Sequence, residues 1–239
     1  MSTTSPDRHL RLAGTRNLRD VGGYSAGTGR RTRWRTLLRT DALDRLPAAS
    51  QAALVELGLR QVIDLRWEHE IEHRPSVFER SDQVRYRSIP LMPDAAVPAG
   101  IAATYRHMLD SRSEALATVV RALLGPGGLP VVIGCAAGVD RTGVTVALLL
   151  AAVGVPPDVV AADYALSLET FAGDGAASEL DDWRGGPVVL DCRPEYMLEA
   201  LDHLEQRHGG PRALLAGHGL GEPDVDRLTD LLTEPAAEG

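Results

Sequence analysis

The residues best placed to do chemistry are a cysteine and an arginine six positions apart, Cys135 and Arg141. Between them run Ala136-Ala137-Gly138-Val139-Asp140, and Thr142-Gly143 follows. A helix N-terminus presents unpaired N–H groups and the positive end of the helix dipole, so it attracts oxyanions. Side chains as small as those of Ala136, Ala137 and Gly138 let successive amides curl toward one point, a nest of phosphate size. The same field favours the thiolate form of a cysteine. Arg141 has the planar fork that grips two phosphate oxygens at once.

Two elements must hold this loop. The β-branched run Val131-Val132-Ile133 predicts a buried strand leading in, and the apolar stretch from about Thr142 to Val153 predicts a helix leading out. Strand, tight loop and helix are the arrangement the anion cradle needs.

Cys135 to Arg141 match the C-x5-R signature of cysteine-dependent phosphatases. With Ala137-Gly138 and Asp140-Arg141-Thr142-Gly143 the string resembles the bacterial protein tyrosine and dual-specificity phosphatases. Further strings are similar to that family: Asn17-Leu18-Arg19-Asp20-Val21-Gly22-Gly23, Arg39-Thr40-Asp41, Asp64-Leu65-Arg66 with Glu70 after it, Asp163-Tyr164-Ala165-Leu166-Ser167, Pro194-Glu195-Tyr196 and Leu220-Gly221. They span about residue 15 to 233, so the resemblance covers nearly the whole chain. It implies an α/β fold of the cysteine-phosphatase kind, a central and mostly parallel sheet flanked by helices with a lid-like insertion. One phosphatase domain over 1–239 is expected, frayed over 1–10, with 171–193 read as a mobile cover over the active site or a plain disordered insertion.

The resemblance also implies roles. Cys135 is the nucleophile that forms a cysteinyl-phosphate, later hydrolysed by water. Ala136, Ala137, Gly138, Val139, Arg141 and Thr142 bind the phosphate, and Thr142 offers its hydroxyl to the sulfur. Asp140 stands where the family carries its general acid, with Asp94 or Asp64 as the competing proton donors. Arg19, Asp20, Asp64 and Arg66 are supporting residues; for Asp64 and Arg66 a purely structural ion pair at the strand end is the alternative. In two places the chain departs from the family, with Gly134 where a histidine is usual and Val139 where a lysine is usual. The first removes a group that orders the loop, the second a positive charge at its rim. A phosphotyrosine-type substrate is the implied default. A small phosphorylated metabolite, a phosphate-binding pseudophosphatase with little turnover, and sulfur or arsenate chemistry are the alternatives.

The remaining sequence bounds these readings. The chain has 239 residues, 44% hydrophobic and 24% charged, with net charge −8, which argues against a nucleic-acid binder. All its Lys+Arg positions are arginine, and nine of them lie between Arg8 and Arg39. Those nine read as a solvated strand or hairpin or as the rim of an anion site. Two cysteines make no disulfide framework, although Cys192 is a candidate reversible partner for Cys135. No histidine stands in a metal-ligand spacing, His69 and His73 reading as a solvated helix face, so neither metal nor cofactor is expected. Without a signal-like or membrane-length apolar run, a cytoplasmic protein is expected. Helices are predicted at Pro47–Leu57, 99–110, 113–124, from Pro156-Pro157-Asp158 onward with Asp158 as cap, at Pro194–His208, and in two short pieces to Thr233. Strands are predicted at Val62–Arg66 and Val84–Pro90.

Overall fold

Seven strands and nine helices alternate along the described residues of the computed structural model, which are 7–27, 29–92, 99–171 and 191–236. In chain order they are β1 (Arg19–Asp20), β2 (Arg30–Thr32), β3 (Leu37–Thr40), α1 (Ala48–Glu56), β4 (Gln61–Asp64), α2 (Glu68–His73), β5 (Arg85–Ser88), α3 (Ile101–Ser111) and α4 (Ser113–Leu124). Then follow β6 (Val131–Gly134), α5 (Asp140–Ala152), α6 (Pro157–Phe171), α7 (Pro194–His208), α8 (Pro211–Ala216), α9 (Glu222–Leu232) and β7 (Thr233–Pro235). Asp94, and all of the expected 171–193 cover except Phe171 and 191–193, lie outside the described residues.

Five strands form one sheet in the order β1-β3-β6-β4-β5, with β1 antiparallel and the other pairings parallel. Strand residues alternate between two apolar layers, as a period of two requires. Leu37, Ile63, Val131 and Ile133 face the core built with α3 to α9, whereas Leu38, Val62 and Val132 face a smaller core closed by Leu54 of α1, Phe78 and Val84. A parallel sheet covered on both faces explains why β6 is apolar without alternation. Helix α5 is buried almost throughout, which is why its sequence is apolar all round. Among the described residues no helix is long and apolar enough to cross a membrane.

One expectation holds and three need correction. The arginine-rich run does form a hairpin, with Thr32 N donating to the Tyr24 carbonyl at 2.7 Å and Ala26 N to the Arg30 carbonyl at 2.9 Å; beyond it, β2 pairs antiparallel with β7, and β3 pairs with β1 and β6. Arg35, in the left-handed region at φ 54°, turns the chain between them. The arginines nearby are not all solvated, since Arg19 and Arg39 are among the largest fully buried side chains. Residues 7–10 do not fray, because the Arg8 carbonyl accepts from the Asp20 amide at 2.9 Å and Leu10 donates to the Leu18 carbonyl at 3.1 Å. Asp158 sits inside the first turn of α6 rather than capping it.

Candidate active site

Gly134, the last residue of β6, is in register with Thr40 of β3 and Asp64 of β4. Three parallel strands therefore end together, at the carboxyl edge where open α/β sheets bind ligands. The loop 135–139 leaves from this edge and enters α5. Three of its carbonyls are turned back into the protein. Ala136 O accepts from the Ala42 amide at 3.1 Å, and Asn17 Nδ2 donates to Ala137 O at 3.0 Å and Gly138 O at 3.1 Å. Arg39 Nη2 donates to Gly138 O at 2.9 Å. In a trans peptide the N–H points opposite to the C=O, so the amides of Ala137, Gly138 and Val139 face the other way, toward the loop's concave side. Among the described residues none of these amides donates to a backbone carbonyl. Gly138 makes the turn at φ +70°, and a Cβ there would stand 2.3 Å from the Thr40 carbonyl oxygen. Only glycine satisfies both conditions.

Cys135 lies at the loop's floor, 3% exposed. Arg141 is held by a two-pronged bond to Glu70 at the start of α2, Nη1 to Oε2 at 2.5 Å and Nη2 to Oε1 at 3.0 Å, with the guanidinium carbon 5.4 Å from the Trp67 ring centre. Burial works to lower the Arg141 pKa, but attraction to the Cys135 sulfur and to Glu70 outweighs it and raises the value. Glu70 mirrors this: burial raises its carboxyl and Arg141 pulls it below its ordinary value near 4.5. A depressed carboxyl contributes stability that is fully present above the ordinary value and lost as pH falls through the folded one. Glu70→Gln is expected to cost about 1–3 kcal/mol at neutral pH, with the gap to wild type closing on acidification when Tm is followed against pH.

Asp140, the first residue of α5, is engaged by a tyrosine pair. Tyr105 Oη of α3 donates to Asp140 Oδ1 at 2.6 Å and lies 2.6 Å from Tyr164 Oη of α6. Burial and the Asp140 charge hold the Tyr105 hydroxyl well above its ordinary pKa, so it keeps its proton and serves as the donor. Thr142 Oγ1 is buried with no partner among the described residues, so the expected bond from this hydroxyl to the sulfur is not formed.

The four supporting residues lie elsewhere than around the loop's open side. Arg66 grips Asp64 through Nε and Nη2 at 2.7–3.1 Å, and Tyr86 Oη adds a bond to Asp64 at 3.0 Å. This is the structural strand-end pair, and it occupies the Asp64 carboxylate that competed as proton donor. Asp20 accepts from the amides of Gly22 and Arg35, both at 2.7 Å, and fixes a turn. Arg19 lies beneath the loop. It bonds Asn17, the Asp163 carbonyl at 2.8 Å and Ser167 Oγ at 3.0 Å, and burial with the nearby Arg39 charge pushes it down to about 10. Arg39 Nη1 meets Asp163 Oδ2 at 2.6 Å. A buried triad of Arg19, Asp163 and Arg39 therefore carries the loop through Asn17 and Arg39. Cys192 is a free buried thiol, pushed up to about 12 by burial and by the Asp140 charge, and Cys135 is free as well. Tyr164 stood in a string similar to the family, whereas Tyr105 was not singled out by the sequence.

The structure also accounts for Gly134. A Cβ at this position would lie 2.8 Å from Thr40 Cγ2 and 3.1–3.2 Å from two backbone oxygens of Thr40 and Asp41. The Thr40 methyl fills the space that a side chain before the cysteine would need. Gly134→Ala is expected to cost about 1–3 kcal/mol as overpacking. In a Thr40→Ser background part of that cost should disappear, with a coupling of about 1 kcal/mol in a denaturation cycle.

A model of the tyrosine phosphatase family matches residues 10–234. The chain is similar to a tyrosine-protein phosphatase of Nostoc commune, 28% identical over 211 residues that cover 80% of this chain and 72% of that protein. It is also similar to the triple specificity protein phosphatase PtpB of Mycobacterium tuberculosis, 28% identical over an alignment covering 92% of this chain and 98% of the other.

Proposed function

The chain belongs to the tyrosine phosphatase family and is a phosphatase, and on that premise we propose that it hydrolyses phosphate monoesters through a cysteinyl-phosphate on Cys135, as one catalytic unit. The observation that carries this reading is the convergence of three features on one sheet edge. These are the Cys135 sulfur, the Arg141 guanidinium braced by Glu70, and a row of amides whose carbonyls are tied away.

In the first step the Cys135 thiolate forms a bond to phosphorus as the bond to the leaving oxygen breaks, and Asp140 delivers a proton to that oxygen. In the second, water attacks the cysteinyl-phosphate, the sulfur leaves as thiolate, and Asp140 takes the proton back. The amides of residues 137–139 and Arg141 stabilise the equatorial oxygens, and this positioned charge supplies most of the catalysis. Tyr105 fixes the Asp140 carboxylate, so the proton travels from a held group.

A phosphotyrosine-type ester is the substrate that the relatives' names support. A small phosphorylated metabolite is the second reading, favoured by Val139, which is 1% exposed and puts an apolar, neutral side chain where the family usually carries a lysine. Purified protein assayed on p-nitrophenyl phosphate, a phosphotyrosine peptide panel and a phosphometabolite panel tests both. A kcat/KM highest on peptides supports the first reading and one highest on metabolites the second. Tight vanadate binding with no turnover on any panel overturns both in favour of a phosphate-binding module. Asp140→Asn is expected to lower kcat on p-nitrophenyl phosphate by about 10²-fold, the low end for a placed acid because the leaving group is a good one. It should also flatten the limb of the pH–rate profile that reports the protonated acid; an unchanged limb removes Asp140 from the role.

A further inference from the structure

Away from the loop, where α3 and α7 pack together, two imidazoles converge on one carboxylate. His203 Nε2 lies 2.8 Å and His208 Nε2 2.7 Å from the same oxygen, Asp110 Oδ1. We propose that Asp110, His203 and His208 form a binding site for a divalent first-row transition ion, zinc foremost, that pins the end of α3 to the end of α7.

The donor set decides the class of ion. Two imidazole nitrogens and one carboxylate oxygen suit zinc and its neighbours, whereas calcium and magnesium require oxygen ligands. The three ligand atoms all lie within 4.8 Å of one another, the span one ion can bridge. The imidazole rings meet edge to face, at 78° with centroids 6.0 Å apart, so their nitrogens point at a common place rather than stacking. Both rings are 21% exposed and the carboxylate 40%, which leaves a fourth coordination position open to water. A hydrogen-bonded cluster must supply two N–H donors to one oxygen; a cation instead takes a lone pair from each of the three groups. Chain spacing hides the set because Asp110 comes from 93 residues before His203.

The test uses the full chain carrying Cys135→Ser, so that a thiolate at the loop takes no metal. Zinc is titrated by calorimetry, and cobalt by the visible bands of its four-coordinate complex. One ion per chain is expected. His203→Gln and His208→Gln should each weaken binding by about 100-fold or more, beyond the loss typical of groups that only support a ligand. Zinc should raise Tm only where both histidines are present. Glutamine can still donate to Asp110, so the helix contact survives and a folding defect is not mistaken for lost ligation. The proposal is overturned if no ion binds, if binding is equally strong in both glutamine variants, or if Cys135→Ser alone abolishes the binding seen in the wild-type chain.

Discussion

Cys135→Ser is expected to lower kcat on p-nitrophenyl phosphate by about 10⁴-fold or more, as loss of a nucleophile does elsewhere, while phosphate and vanadate still bind. The separation follows from the geometry. Serine preserves the fold of a loop whose shape is set by Asn17, Arg39 and Gly138 rather than by the sulfur. The proposed binding groups are backbone amides and Arg141, which the substitution leaves in place. A hydroxyl is a far poorer nucleophile than a thiolate in that position, so only the bond-forming step fails. Single-turnover kinetics with phosphate-labelled substrate check the assignment: wild type should trap a phosphorylated protein after acid quench and Cys135→Ser should not. A trapped intermediate in the serine variant at the wild-type rate would remove Cys135 from its role.

Asp163→Asn is expected to have the largest effect on stability. Asp163 is 1% exposed and sits between Arg19 and Arg39, with Tyr24 Oη donating to it at 2.9 Å. Burial works to raise its pKa, and the two arginines outweigh that and lower it. Removing this carboxylate, shared by both among the described residues, leaves two buried guanidinium groups facing each other. Breaking a buried pair in this way costs about 3–5 kcal/mol, or a fall of about 6–20 °C in Tm for a chain of this size. Because Arg39 and Asn17 hold the loop carbonyls, kcat should fall in the folded remainder as well. Denaturant unfolding monitored beside activity distinguishes the two effects; a variant as stable as wild type would mean that the triad does not carry the loop.

These two residues also mark the limits of reading the sequence. The phosphate loop was legible because its chemistry is local: cysteine, small residues and arginine fall within one turn of chain between a β-branched run and an apolar helix. The central strands and most helices followed from the same kind of local pattern, but the order of the strands did not. The partners that brace the loop are not local. Glu70 was visible as a similar position, but its bond to Arg141 crosses 71 residues. Arg19 and Arg39 stood in strings similar to the family, but composition cannot distinguish a buried arginine with a carboxylate partner from an exposed one, so their shared bond to Asp163 was not visible. Tyr105 reaches Asp140 only because α3 and α5 pack side by side. The pairing of β2 with β7 was hidden for the same reason: alternation reveals a strand but not its distant partner.

That partner has a consequence for how the molecule is made. β2 is zipped to β7, and Arg31 reaches Glu234 across 203 residues of chain. At about 5–20 residues per second a ribosome needs roughly 10–40 s to bridge that gap. Throughout that interval the arginine-rich ribbon waits with one edge unpaired, until β7 has emerged. Nascent chains halted before residue 233 should therefore be nicked by protease around residues 30–33, and chains released beyond 235 should resist.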